Sequence, residues 1–209
     1  MTLDTVPAEV LSPPTGEAHL VIGAEHLNRV VRDGMLKAKV SLDIASADFK
    51  AMLVPSGISG IGTSRGRNSG RGRGRRNSAE SIVEVFRRLA ERGVEIRLLH
   101  SGVPSSPALH ELRRKLPRGL TIRRCPRIHM KTIIVDAAAM YLGSANLTGA
   151  GLGAKGEHKR NFELGIWTQS TALIDAVLNE FNAIWEGRRC DKCLRKDVCP
   201  VPLEEPELT

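Results

Sequence analysis

Aromatic residues make up only 3% of this 209-residue chain, with one tyrosine, two tryptophans and four phenylalanines, so a core must be built mainly from Leu, Ile, Val and Ala. No apolar run is long enough to cross a bilayer. The opening MTLDTVPAEVLSPPTGEA lacks the basic start and apolar stretch of a secretory leader. The expectation is a soluble, cytoplasmic protein without a transmembrane segment. Cysteine is sparse and unevenly placed: Cys125 stands apart, while Cys190, Cys193 and Cys199 crowd toward the end. In a reducing compartment such thiols are not expected to form disulfides.

Hydrophobic content of 41% and charged content of 26% are ordinary for a globular protein, and the length suits one well-cored domain with attachments. The net charge of +8 and pI near 9.7 favour a polyanionic partner, either nucleic acid or an anionic membrane surface. Many basic proteins bind neither, so charge alone decides little.

Hydrophobic periodicity gives an alternation of helices and strands. Leu20, Ala24, Leu27 and Val31 recur at helical spacing within Glu17–Leu36, and Lys39–Ile44 then alternates as a strand. Ile82, Val83, Phe86, Leu89 and Ala90 form a second helical face, capped at its start by Asn77 or Ser78 and ended by Gly93, with a strand over Val94–Leu98. A shorter helix spans Ser106–Leu116, stopped by Pro117, and strands follow at Leu120–Arg124, Ile128–Val135, Ala139–Gly143 and Phe162–Trp167. A last helix runs over Thr171–Trp185. The pattern predicts an α/β domain, a mixed sheet flanked by helices. Its expected limits are 17–187, after a disordered 1–16 and before a Cys-rich tail at 188–209. Residues 56–78, SGISGIGTSRGRNSGRGRGRRNS, offer little for a core and read as a mobile Gly/Arg-rich insertion. Such a segment either tracks a phosphate backbone or is a solvated loop with no partner.

The chemistry concentrates in IHMKTIIVDAAAMYLGSANLT, where His129, Lys131, Asp136, Gly143, Ser144 and Asn146 stand in the order HxKx4Dx6GSxN. With each fixed residue at roughly one in twenty, six positions match by chance about once in tens of millions of placements. On an extended strand His129 and Lys131 project from the same face, and Ile133, Ile134 and Val135 suit a strand buried on both sides. After a turn through Asp136, a second strand ends at Gly143, where a tight bend can present Ser144 and Asn146 beside the first pair. Imidazole, ammonium and neutral donors in one place suit attack on a phosphodiester, whose oxygens gain charge that fixed positive groups stabilise.

This motif resembles the signature of the phospholipase D superfamily, and the resemblance implies a metal-independent phosphodiesterase with that fold. It implies that His129 is the nucleophile forming a phosphohistidine, with Lys131, Ser144 and Asn146 on the non-bridging oxygens and Asp136 fixing the turn. An acidic residue on the following strand orients the histidine in this family. Glu163 in NFELGIW takes that place here, with Glu157 as the competing position.

The resemblance also implies two motifs per active site, one histidine attacking and a second protonating the leaving oxygen. His19, His26, His100 and His110 are not followed by the same pattern, so the expectation is a homodimer sharing one site. The small size, single motif and basic charge resemble the dimeric nuclease branch, which makes DNA or RNA the expected substrate. A phospholipase D or phosphatidyltransferase acting on phospholipid headgroups is the alternative, and a non-catalytic nucleic-acid-binding protein is a third. Catalysis calls for no cofactor. The CxxC spacing of Cys190 and Cys193, with Cys199 and Cys125, is of a metal-binding type: structural zinc, with an iron–sulfur cluster or no metal as alternatives.

Overall fold

A computed structural model describes residues 18–55, 79–114 and 116–199. The expected disordered start, the Gly/Arg-rich 56–78 and the end of the tail lie outside the described residues, as do the expected caps Asn77 and Ser78.

The elements are β1 (Ala18–Ile22), a π-type helix (His26–Gly34) running into a 3-10 turn (Met35–Lys37), β2 (Ser41–Ser46), β3 (Leu53–Pro55), β4 (Ala79–Ser81), α1 (Ile82–Glu91), β5 (Glu95–His100), α2 (Ser106–Arg114), β6 (Leu120–Arg124), β7 (Thr132–Val135), β8 (Ala139–Gly143), β9 (Leu164–Thr168) and α3 (Thr171–Trp185). Seven strands form one sheet in the order β1-β9-β8-β7-β2-β5-β6. β2, β5 and β6 run parallel, while β7, β8, β9 and β1 are joined antiparallel, so the sheet is mixed. β3 and β4 form a separate two-stranded ribbon.

β2 shows why the centre of the sheet sits where it does. Leu42 and Ile44 face the main core, which gathers Val30 and Val31 of the first helix, Ile82, Phe86 and Leu89 of α1, and Leu112 of α2. Ala45 faces the other way, with Leu99 and Ile128, against Phe181 and Trp185 of α3. Further along the same face, Ile134 and Met140 meet Ile174. A strand with neighbours on both faces has to be apolar on both. Asp43 is the exception: it is buried on the α3 side and accepts from Arg97 Nε at 2.5 Å. The Arg97 guanidinium lies over the rings of Phe181 and Trp185 and also donates to Asn182 Oδ1 at 2.9 Å.

Two helical expectations change. Ala18–Ile22 is an edge strand paired with β9, and the helix starts only at His26. The apolar spacing fitted a helix, but unmet backbone groups on β9 made pairing the better use of this segment. α1 is capped by Ser81, whose Oγ accepts from Glu84 N at 3.1 Å, rather than farther upstream.

The β7–β8 turn has two successive left-handed residues, Asp136 (φ 54°) and Ala137 (φ 49°), which matches the twist of a tight hairpin but is strained for alanine. The Asp136 carboxylate reaches across to the amides of Lys39 (3.0 and 3.1 Å), Val40 (2.7 Å) and Ser41 (3.0 Å). Burial works against its charge, but these three amides outweigh that and hold the carboxyl below its ordinary value. The stabilisation is therefore present above the ordinary carboxylate range and is lost as pH falls through the depressed folded value. Asp136→Asn is expected to cost about 1–3 kcal/mol at neutral pH and to flatten the acid limb of stability, read by urea unfolding across a pH series.

Candidate active site

His129 and Lys131 lie just upstream of β7, in the segment entering it, with Ile128 buried behind them under α3. The His129 ring is exposed to solvent and Lys131 is half-buried. Lys131 Nζ stands 3.0 Å from His129 Nδ1 and 3.2 Å from Nε2, and donates to His129 O at 2.7 Å. Burial pulls the Lys131 ammonium below its ordinary pKa, and the charges of Asp48 and Glu163 partly restore it. The structure thus brings His129 and Lys131 together with His129 exposed, although in the segment before β7 and not on a strand as the spacing predicted.

Ser144, Asn146 and Glu163 join them. Gly143 N donates to Lys131 O at 3.1 Å, so the β8 end and the His-Lys segment are bonded side by side. Asn146 Oδ1 accepts from Asp48 N at 3.1 Å, which fixes the oxygen end of the amide. Ser46 Oγ, 3.3 Å from the same oxygen, donates to Asp48 O at 2.6 Å and accepts from Leu147 N at 2.8 Å. Ser144 accepts from Leu164 N at 3.0 Å and donates its one proton to Glu163 Oε2. Glu163 Oε1 accepts from Asn161 Nδ2 at 3.0 Å. Its carboxylate is therefore held by Ser144 and Asn161, and it bears on Lys131 as a counter-charge. Glu157 lies exposed in a short 3-10 turn, Glu157–Lys159.

Asp136 belongs to the other end of β7, about 16 Å along an extended strand from Lys131, where it holds the turn described above. The four cysteines line one cavity beside Ile128, together with Arg127 and Arg195. Burial and the nearby Cys125, Cys199 and Cys193 thiols raise the Cys190 pKa; the Arg195 amide and the Arg127 guanidinium lower that of Cys193. Among the described residues, no three His, Cys, Asp or Glu side chains stand ready-assembled around a metal position.

Sequence reasoning missed the support under the site. Tyr141 is fully buried, and its hydroxyl accepts from Ala145 N at 3.1 Å while donating to His26 Nε2 at 3.1 Å. His26 is also buried, and its Nδ1–H donates to Gly23 O at 3.2 Å. Burial lowers the His26 pKa, in keeping with a neutral ring of this tautomer. The phenol occupies the space that side chains at Gly143 and Gly165 would need: a Cβ at Gly165 would come within 2.3 Å of the Tyr141 ring, and one at Gly143 within 2.4 Å of its hydroxyl. Asp48, at the C-terminal end of β2, was also missed; an aspartate in SADFK carries no spacing signal. Tyr141→Phe is expected to leave Ala145 N–H and His26 Nε2 unpaired, costing about 1–3 kcal/mol in a thermal or urea melt with little change in fold by circular dichroism.

Comparison with known proteins agrees with this geometry. The family model described as cardiolipin synthase, PLD-like domain, matches residues 76–185, just over half of the chain and all of the motif. No curated protein matches the sequence. Among solved structures, NucT from Helicobacter pylori is similar at 15% identity and a TM-score of 0.55, over 82% of this chain and 96% of that one. Nuc from Salmonella typhimurium, a phospholipase D family member, is similar at 16% identity and a TM-score of 0.56, over 82% and 95%. A phosphatidylserine synthase from Haemophilus influenzae follows at 18% identity and a TM-score of 0.50, over 82% of this chain and 39% of that one. At these identities the likeness is one of fold, a mixed sheet flanked by helices. Through the family model that covers its motif, the chain belongs to the phospholipase D-like domain family.

Proposed function

We propose that this protein is a phosphodiesterase that cuts nucleic acid through a phosphohistidine on His129, with two copies forming each active site. The observation that carries this reading is the exposed His129 beside the Lys131 ammonium, with Gly143 N bonded to Lys131 O so that the bend carrying Ser144 and Asn146 lies alongside. In the first step a neutral His129 nitrogen attacks phosphorus. The bond to the leaving oxygen breaks as that oxygen takes a proton from the second copy's histidine. In the second step the same histidine removes a proton from water, whose oxygen attacks phosphorus and releases His129. Lys131 and Asn146 meet the charge that builds on the non-bridging oxygens. Metal independence is part of the proposal, since these groups already supply the positive field.

Nucleic acid is favoured by the net charge of +8 and by the match of Nuc and NucT over nearly their whole length to 82% of this chain. The names of the family model and of the Haemophilus protein motivate the second reading, transfer or hydrolysis at a phospholipid headgroup. The assay is labelled single- and double-stranded DNA and RNA with excess chelator, run beside phospholipid vesicles. Cutting that survives chelator and falls by on the order of 10⁴-fold or more in His129→Ala is the expected result. Lys131→Ala should lose about 10²–10³-fold. Headgroup release without nucleic-acid cutting would favour the lipid reading, and binding without product the non-catalytic one.

A second copy has a surface to use. Leu20 and Ile22 of β1, Leu164 of β9 and Leu142 of β8 share one sheet face beyond the reach of α3, and are 56%, 53%, 56% and 37% exposed. Phe162, two residues upstream of Leu164, is fully exposed. Glu163 lies between these last two, so the apolar patch borders the site and a copy docked there brings its own motif close. Leu164→Asp, on an exposed strand face, is expected to give a folded, inactive monomer by light scattering. An active monomer would exclude the shared site.

A further inference from the structure

The motif leaves the four cysteines unexplained. The segment after α3 is a series of turns: Gly187 in the left-handed region (φ 79°), Cys190 N bonded to Gly187 O at 2.9 Å, Cys193 N to Cys190 O at 3.0 Å, and Cys199 N to Lys196 O at 3.3 Å. Its two large apolar side chains, Leu194 and Val198, are 95% and 44% exposed, so no hydrophobic anchor holds it. The segment nevertheless folds against the loop Cys125–Ile128, more than sixty residues upstream. There the two stretches enclose a cavity of about 500 Å³ that all four cysteines line. None of the four is in a disulfide.

The upstream side is firmly placed. Cys125 N donates to His100 O at 2.9 Å, extending the β5–β6 pairing, and Ile128 N donates to Cys125 O at 3.0 Å. The charge around the cavity suits an anionic centre. Arg127 Nη1 donates to Cys193 Sγ at 3.5 Å, and Lys192, Arg195 and Lys196 line the same walls. Four thiolates around a divalent ion carry a net charge of about −2, which these cations offset.

We propose that Cys125, Cys190, Cys193 and Cys199 bind one zinc ion as a tetrahedral thiolate centre that fastens the C-terminal segment to the loop entering the catalytic strand. Zinc–sulfur bonds of about 2.3 Å require sulfurs about 3.8 Å apart. Convergence to that spacing draws in the turn segment, which no apolar packing resists, onto a Cys125 held by the sheet. The ion then does for this tail what a core does elsewhere. The centre is structural: it stands behind Ile128, not at His129, and its presence does not depend on the phosphodiesterase reading.

The test is metal analysis of the full chain purified under reducing conditions without chelator. The expected result is one zinc per chain, retained in His129→Ala and lost in Cys193→Ser and in Cys125→Ser. Because Cys125→Ser can fail to fold, cobalt(II) exchanged into the wild-type protein supplies a second measurement: thiolate charge-transfer and tetrahedral d–d absorption, weakened in Cys193→Ser. Protein that holds no metal, that carries iron with acid-labile sulfide, that has paired the four cysteines as disulfides, or that keeps its zinc in the Cys variants would overturn the proposal.

Discussion

A buried phenol oxygen beneath the GSxN turn sets the shape of the site. The Tyr141 hydroxyl receives the Ala145 amide and is itself bonded to His26, so the helix after β1, the end of β8 and the catalytic bend meet at one atom. The group needs space, which is why β8 and β9 carry glycine at 143 and 165 where any side chain would strike the ring. It also needs a partner that stays neutral. Burial keeps His26 from gaining charge, so the hydroxyl keeps an acceptor for its proton. A packed aromatic in a chain with one tyrosine thus supports a turn whose polar residues face solvent.

Around that turn the charges are arranged so that Lys131 remains useful. Desolvation alone would weaken an ammonium next to an imidazole, but Asp48 from the end of β2 and Glu163 before β9 stand close enough to counter it. Each carboxylate-bearing residue is tied elsewhere as well: Asp48 through its backbone to Asn146, and Glu163 through Ser144 and Asn161. The acidic residues therefore hold Asn146 and Ser144 in place and tune the Lys131 cation.

Much of this was legible in the sequence, and the part that was not has physical reasons. Of the six motif positions, His129, Lys131, Gly143, Ser144 and Asn146 gather at one end of β7 and β8 because those strands are neighbours, while Asp136 holds the turn at the other end. The strand over Ala139–Gly143 and the helix over Thr171–Trp185 were read to the residue because period and punctuation agreed. Ala18–Ile22 was misread because an edge strand answers to unpaired groups on β9, which no local pattern reveals. Tyr141 and His26 escaped notice because 115 residues separate them and burial, not spacing, makes them partners. The donation of the Ser144 hydroxyl to Glu163 was not legible either, because it is a contact visible only in three dimensions.

The far face of the sheet links the site to the tail. Arg97 bonded to Asp43 and stacked on Phe181 and Trp185, with Arg123 also over the Trp185 ring, fixes the last turns of α3 to β2, β5 and β6. Charged groups in such a half-buried position are kept because each is paired and covered by a ring. Their effect is positional. They deliver the chain leaving α3 to the mouth of the loop that carries Cys125, four residues before His129. The C-terminal segment and the segment that carries His129 into β7 thereby meet at one stretch of backbone, Cys125–Ile128.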